Sequence, residues 1–143
     1  MARCVEIRIE SRQTREGQTE RVEQVAQGLL ARTEEGYTLT YGEGEETGLG
    51  GTRTTLKLRG DRAELSRTGE VASTMIFSPG IPHRSLYQTP YGPIPMEVTA
   101  RRVESTMEET GGVVELEYDL TLGDGPAGRT LLRLTVKEKE SLS

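Results

Sequence analysis

The sequence predicts an all-β protein, a single antiparallel barrel of about ten short strands. Three observations carry that expectation. Apolar and polar residues alternate with period two, as in Val5-Glu6-Ile7-Arg8-Ile9 and Val114-Glu115-Leu116-Glu117-Tyr118, the pattern of strands buried on one face and wet on the other. Turn chemistry falls between the alternating runs, at Glu35-Gly36, Arg59-Gly60-Asp61, Thr68-Gly69, Gly111-Gly112 and Gly123-Asp124-Gly125-Pro126, where residues tolerant of positive φ are needed. With 17 glycines and 33% apolar residues in 143, the composition suits short strands and turns better than a helical bundle. A meander this long closes into a barrel to remove its edges.

The elements follow in order. Arg3–Gln13 is a strand with Val5, Ile7 and Ile9 on one face and Glu6, Arg8 and Glu10 on the other. Glu20–Thr33 reads two ways. Val22, Val25, Ala26, Leu29 and Leu30 form a helical stripe, and on pattern alone a helix is favoured. Against it, Thr19 is followed by Val22 rather than the Glu or Gln of a capping box. Gly28 also sits mid-segment, where it weakens a helix by ~1 kcal/mol. Gly36–Glu43 and Thr52–Arg59 are strands, the latter with Thr54, Leu56 and Leu58 in phase. Arg62–Thr68, Val71–Phe77 and His83–Thr89 follow. Ile94–Ser105 comes next, with Pro93 and Pro95 at its start, where a missing N–H is tolerated at an edge or rim. Gly112–Leu122 and Arg129–Lys137 complete the set, with Leu132, Leu134 and Val136 sharing a face. One domain, residues 1–143, holds them all, with a polar, frayed tail from about residue 138.

Charge and cysteine usage narrow the function classes. A net charge of -5 without a Lys/Arg block argues against a nucleic-acid partner, whose affinity comes mostly from neutralised phosphates. Cys4 is the one cysteine, so no internal disulfide forms and a reducing compartment is expected. Met1 to Glu10 lacks the continuous apolar stretch of a signal peptide, and no run approaches the ~20 apolar residues that cross a bilayer. The expectation is a cytoplasmic protein with no membrane partner. One Cys and one His cannot supply the usual zinc sets, and no cofactor is expected.

Several stretches together carry a resemblance. Tyr37-Thr38-Leu39-Thr40-Tyr41-Gly42-Glu43 ends in Tyr-x-Glu; Leu65-Ser66-Arg67-Thr68-Gly69-Glu70 is followed by Met75-Ile76-Phe77; then come Tyr87-Gln88-Thr89-Pro90-Tyr91-Gly92 and Leu116-Glu117-Tyr118-Asp119-Leu120. In this order and spacing they resemble the YwiB-like family, small bacterial proteins carried as a domain of unknown function. The resemblance covers about Val5 to Lys137. It implies a calycin-like (lipocalin-like) β-barrel of about 8–10 strands, and it implies that Thr19 to Thr33 is a long second strand. It transfers no catalytic residue, because fold does not give function.

Arg67 is the most informative single residue. It is in phase with Ala63 and Leu65, so the pleat aims it at the barrel interior or rim. A buried guanidinium needs a carboxylate or carbonyls. It is either an anchor for a ligand anion or half of an internal ion pair, the commoner case, with Glu43 and Glu97 as partners by chemistry. Tyr87 and Tyr91 flank a Pro-containing turn, where they would line a ligand-gripping mouth or plug the barrel end. Tyr41, Glu43 and Arg84 complete the candidate ligand-binding set. His83 reads as a surface loop residue. Ser78, Ser85 and Asp61 could furnish a hydrolase triad with it, but no Gly-x-Ser-x-Gly elbow exists. The stretch from Gly42 to Gly51 carries three glutamates and no Gly-Lys-Ser/Thr ending, which fits a solvated loop rather than a phosphate cradle.

Three functions compete. A barrel binding one small amphipathic or anionic ligand is favoured, because so few aromatics leave interior volume to account for. The alternative is a filled structural or interaction barrel, self-associating as a homodimer through one face. An enzyme ranks last for want of a catalytic constellation.

Overall fold

Alternation of this kind folds into one continuous sheet. A computed structural model describes residues 2–42, 51–69, 71–125 and 128–139. Its strands are β1 (Ala2–Arg15), β2 (Gln18–Arg32), β3 (Tyr37–Gly42), β4 (Arg53–Arg59), β5 (Arg62–Thr68), β6 (Ser73–Phe77), β7 (Pro82–Thr89), β8 (Gly92–Ser105), β9 (Gly111–Leu122) and β10 (Gly128–Glu138). They form a 10-stranded antiparallel sheet in the order β6-β5-β4-β3-β2-β1-β10-β9-β8-β7. Nearly every neighbour in the wall is therefore a neighbour in sequence. The exception is β1 against β10, paired from Val5↔Glu138 to Thr14↔Arg129.

The two outer strands of that order, β6 and β7, come together to close the barrel. Their junction is sparse. Ala72 and Gln88 exchange backbone hydrogen bonds of 3.0 and 2.7 Å, Ile81 N–H donates to the Ser78 carbonyl at 3.0 Å in the connecting turn, and Gly80 N–H in that turn reaches past β7 to the Ala100 carbonyl of β8 at 3.0 Å. Among the described residues no longer ladder joins β6 to β7. The wall is thus nearly closed, with a seam opposite the β1–β10 joint.

The expected strands stand where alternation puts them. Val5, Ile7, Ile9, Leu56, Leu58, Val114, Leu116, Tyr118, Leu132, Leu134 and Val136 all face inward and are buried. The helical stripe of Thr19–Thr33 is overturned: the segment is β2, as the family resemblance implies. Its inner face is Gln24, Ala26 and Leu30, while Val25 and Leu29 point outward, 55% and 44% exposed. Two apolar residues on the wet face had produced a false period. The turn from β1 to β2 needs left-handed backbone at two positions, and Glu16 (φ 51) and Gly17 (φ 80) supply it, the geometry that matches strand twist in a two-residue hairpin.

Inside, large side chains fill the middle. Phe77, Leu56, Leu65 and Leu116 are fully enclosed, and the Phe77 and Tyr118 rings meet edge to face at 4.9 Å and 61°. β10 runs to Glu138, at the start of the expected tail. No helix of the described residues is long and apolar enough to cross a membrane.

Candidate functional site

Antiparallel order brings the ends of β1, β3, β5, β7 and β9 and the starts of β2, β4, β6, β8 and β10 to one end of the barrel, its mouth. The inner face changes character there. Tyr41 pairs with Thr54, Thr54 with Arg67, and Arg67 with Ser73, making one cross-strand row on β3 to β6. Directly opposite residues in such rows hold their Cβ atoms about 5 Å apart. Gln24, Thr52 and Thr130 add buried polar side chains, so a polar layer lies on the filled apolar middle.

Arg67 is half-buried, as its phase requires. Its charge acts on the buried Tyr118, whose hydroxyl also hydrogen-bonds Thr130. Burial pushes the Tyr118 pKa up, and those two partners only partly oppose the shift. Two hydroxyls beside Arg67 are under-used. Thr52, 3% exposed, lies two residues before Thr54 in the inner phase; Ser73, 7% exposed, lies directly opposite Arg67. Thr52 Oγ1 and Ser73 Oγ are shielded from solvent and have no hydrogen-bond partner among the described residues. A buried hydroxyl left in that state costs about 1–3 kcal/mol.

The sequence-derived set divides. Arg67 and Tyr41 share the polar row. Tyr87 lies toward the same mouth across the seam: Ala72 bridges Gln88, and Ser73 and Tyr87 are the inner-facing residues next to that bridge on either side. Tyr91 does not join them. It is fully exposed at the tip of the β7–β8 turn, where its N–H donates to Thr89 Oγ1 at 3.1 Å. Arg84 lies on the outer face, its Nε donating to Glu97 at 2.8 Å. Glu97 therefore points away from the interior and is occupied by Arg84, so it is not the partner of Arg67. Glu43, and most of the glycine-rich stretch, lie outside the described residues.

His83 is not a loop residue. It sits inside β7, inward with Ser85 and Tyr87, half-buried, with Nε2 shielded from solvent and lacking a partner among the described residues. Thr52, Thr130 and Gln24 escaped the sequence reading, although Thr130 is in phase with Leu132 and Leu134. A polar residue continuing an apolar stripe was the available signal. Among the described residues no group of three or more His, Cys, Asp or Glu is placed to hold a metal ion.

The outer face is a lattice of ion pairs. Asp119 accepts from Arg101 and Arg129, each at 3.1 Å, and Glu115 from Arg102 at 3.1 Å. Partial burial works against the Asp119 charge, but the two guanidinium hydrogen bonds prevail and hold its carboxyl below the usual range.

Comparison with known proteins bears on this barrel as a whole. The family described as "Domain of unknown function (DUF1934)" matches residues 7–134. The crystal structure of the ywiB protein from Bacillus subtilis superimposes with a TM-score of 0.87 at 19% identity, over 97% of this chain and 94% of that one. At that identity the likeness speaks for the fold. No curated protein matches.

Proposed function

Since the chain belongs to the DUF1934 family of unknown function, with the barrel of the YwiB-like proteins, we propose that it binds a small anionic or amphipathic molecule at the mouth of the barrel. We place it in the cytoplasm, where the exposed thiol of Cys4 stays reduced. The observation that carries this reading is the pair of buried hydroxyls of Thr52 and Ser73, without partners among the described residues, Ser73 directly opposite Arg67 and Thr52 across from Gly69 two residues on. A carboxylate or phosphate group accepts hydrogen bonds from both hydroxyls and gains a charge-assisted contact with the guanidinium. Tyr41 and Tyr87 offer flat apolar surface to the rest of the ligand. The filled middle supports binding at the mouth rather than deep inside. The same filled middle favours the second reading, a solid barrel that serves as an interaction module.

Thermal unfolding with phosphate, citrate and medium-chain carboxylates tests the proposal. A ligand at a hundred times its Kd stabilises by about 2.7 kcal/mol. The expected result is a raised midpoint with at least one anion class, lost in Arg67→Met. Ser73→Ala should weaken that response while leaving the unliganded fold as stable or more so, because an unsatisfied buried hydroxyl goes. A wild type that no anion stabilises, with Arg67→Met unfolding more easily by about 3–5 kcal/mol because it strands an internal acid, leaves the solid barrel instead.

A further inference from the structure

β7 carries its side chains the wrong way round for a barrel strand. Leu86 faces solvent, while His83, Ser85 and Tyr87 face the interior and stay half-buried. The seam lies beside them, since β6 and β7 share no ladder among the described residues. His83 is the chain's one histidine. Its Nε2 is shielded from solvent and has no partner among the described residues, and the anion site at the mouth makes no use of it. A buried polar atom in that state calls for an occupant such as water or an ion.

The neighbouring side chains select between these. Ser85 stands directly opposite Met96, and His83 opposite Val98, so Met96 is the diagonal neighbour of His83. Diagonal residues on one face of a strand pair lie about 7–8 Å apart, within reach of long side chains. On the other side is β6. Met75 is three residues from Ala72 and Ser85 is three residues from Gln88, the two ends of the bridge across the seam, and both face inward. Two of the chain's four methionines thus flank Ser85 on the adjoining strands. Both are buried, each 4% exposed. Around them the inner face is apolar, with Leu65 opposite Met75 and Leu120 opposite Val98, Phe77 enclosed on β6, and no carboxylate in the set.

An imidazole nitrogen and two thioether sulfurs are neutral, soft donors. Hard dications take carboxylate and carbonyl oxygens, whereas thioethers and imidazole suit monovalent copper. Three rotatable bonds let each methionine sulfur close on an ion above the small Ser85 side chain. The sparse seam supplies the entry path that such a site needs. We infer that His83 Nε2 and the sulfurs of Met75 and Met96 bind one Cu(I) ion on the inner side of the seam. The ion then joins β6, β7 and β8 where the backbone joins β6 to β7 least, and it fastens the weakest joint of the wall.

Competition with the chelator bicinchoninate, under ascorbate and without oxygen, tests the site. Cys4 is exposed and its thiolate takes the same ion, so every protein compared carries Cys4→Ser. The expected result is transfer of about one equivalent of Cu(I) from the chelator to the protein, with a raised unfolding midpoint. His83→Leu, Met75→Leu and Met96→Leu keep the core filled with apolar volume and should each weaken binding about tenfold or more. Met107→Leu, at the buried methionine outside the set, should leave binding unchanged. Circular dichroism shows whether each variant keeps its strands. Should one of them unfold, nuclear magnetic resonance of the Cys4→Ser chain settles the matter: the His83 ring and the Met75 and Met96 methyls shift on adding copper, and the Met107 methyl does not. A chain that takes no copper from the chelator overturns the inference. So does binding indifferent to His83→Leu or Met96→Leu, or copper that leaves the His83 ring and both methyls unshifted.

Discussion

Gly28 stands where the wall is tightest. It faces Tyr41 across the β2–β3 pair, and an added Cβ would meet the Thr40 carbonyl oxygen at 2.4 Å and Ile7 Cδ1 at 2.8 Å. Ile7 could swing aside, but the Thr40 carbonyl is held by backbone. Gly28→Ala is expected to destabilise by about 1–3 kcal/mol, the usual range for overpacking, read as a lower urea midpoint at unchanged slope. Gly42→Ala, with nothing within 4 Å among the described residues and no positive φ, is the control and should be neutral. The sequence singled out Gly28 only as a poor helix residue; the crowding that requires it comes from Ile7 and Tyr41, brought together by register. Arg67 was legible because Ala63 and Leu65 set its phase. Arg84 was not. On β7 the apolar Leu86 lies outside, 50% exposed, while His83, Ser85 and Tyr87 face in. A strand with its hydrophobe on the wet side reads inverted.

Among the elements, β6 and β7 differ most from the rest. The ladders of β1 run unbroken on both sides, whereas β6 and β7 meet through the Ala72–Gln88 exchange and the Ile81–Ser78 bond of their connecting turn. Hydrogen exchange is expected to show the amides of β6 and β7 that face the seam opening well below the global unfolding free energy, while those shared by β1 and β10 exchange only with it. Seam amides as protected as those of β1 would mean the junction is as strong as the other joints. The strands themselves were legible to within a few residues because alternation dominates them. β2 was the exception, since Val25 and Leu29 sit on its outer face, and only the ordered motifs of the family resolved it. Pairing was less legible than the strands. Nothing local in Val5 or Glu138 announces that they are opposite one another, and nothing in Ser73 announces a seam beside it.

For the whole molecule, the enclosed Tyr118 ties stability to alkali. Burial raises its pKa above the unfolded value of 10.0. The native state therefore holds this proton at pH values where the unfolded chain has lost it. Stability from this source is complete below about pH 10 and declines as pH rises from there toward the folded-state value. Wild type should lose stability above pH 10, and Tyr118→Phe should lose less over the same window while giving up about 1 kcal/mol below it for the hydrogen bond to Thr130. Parallel curves for the two proteins would show that the hydroxyl is not enclosed.

The β1–β10 joint also fixes an order of events during folding. The chain makes two arms, β1 to β6 and β7 to β10, and each can zip from one hairpin to the next, the longest connection within either arm being the one between Gly42 and Arg53. Joining them requires Val5 to find Glu138, nearly the full length of the chain away, and that closure carries the largest entropic penalty in the molecule. Until it happens, each arm carries one unpaired edge on a strand that is later central in the sheet, β1 in one and β10 in the other. The step that completes the barrel is therefore the slow one, and the one during which a nascent chain is most open to capture by its neighbours.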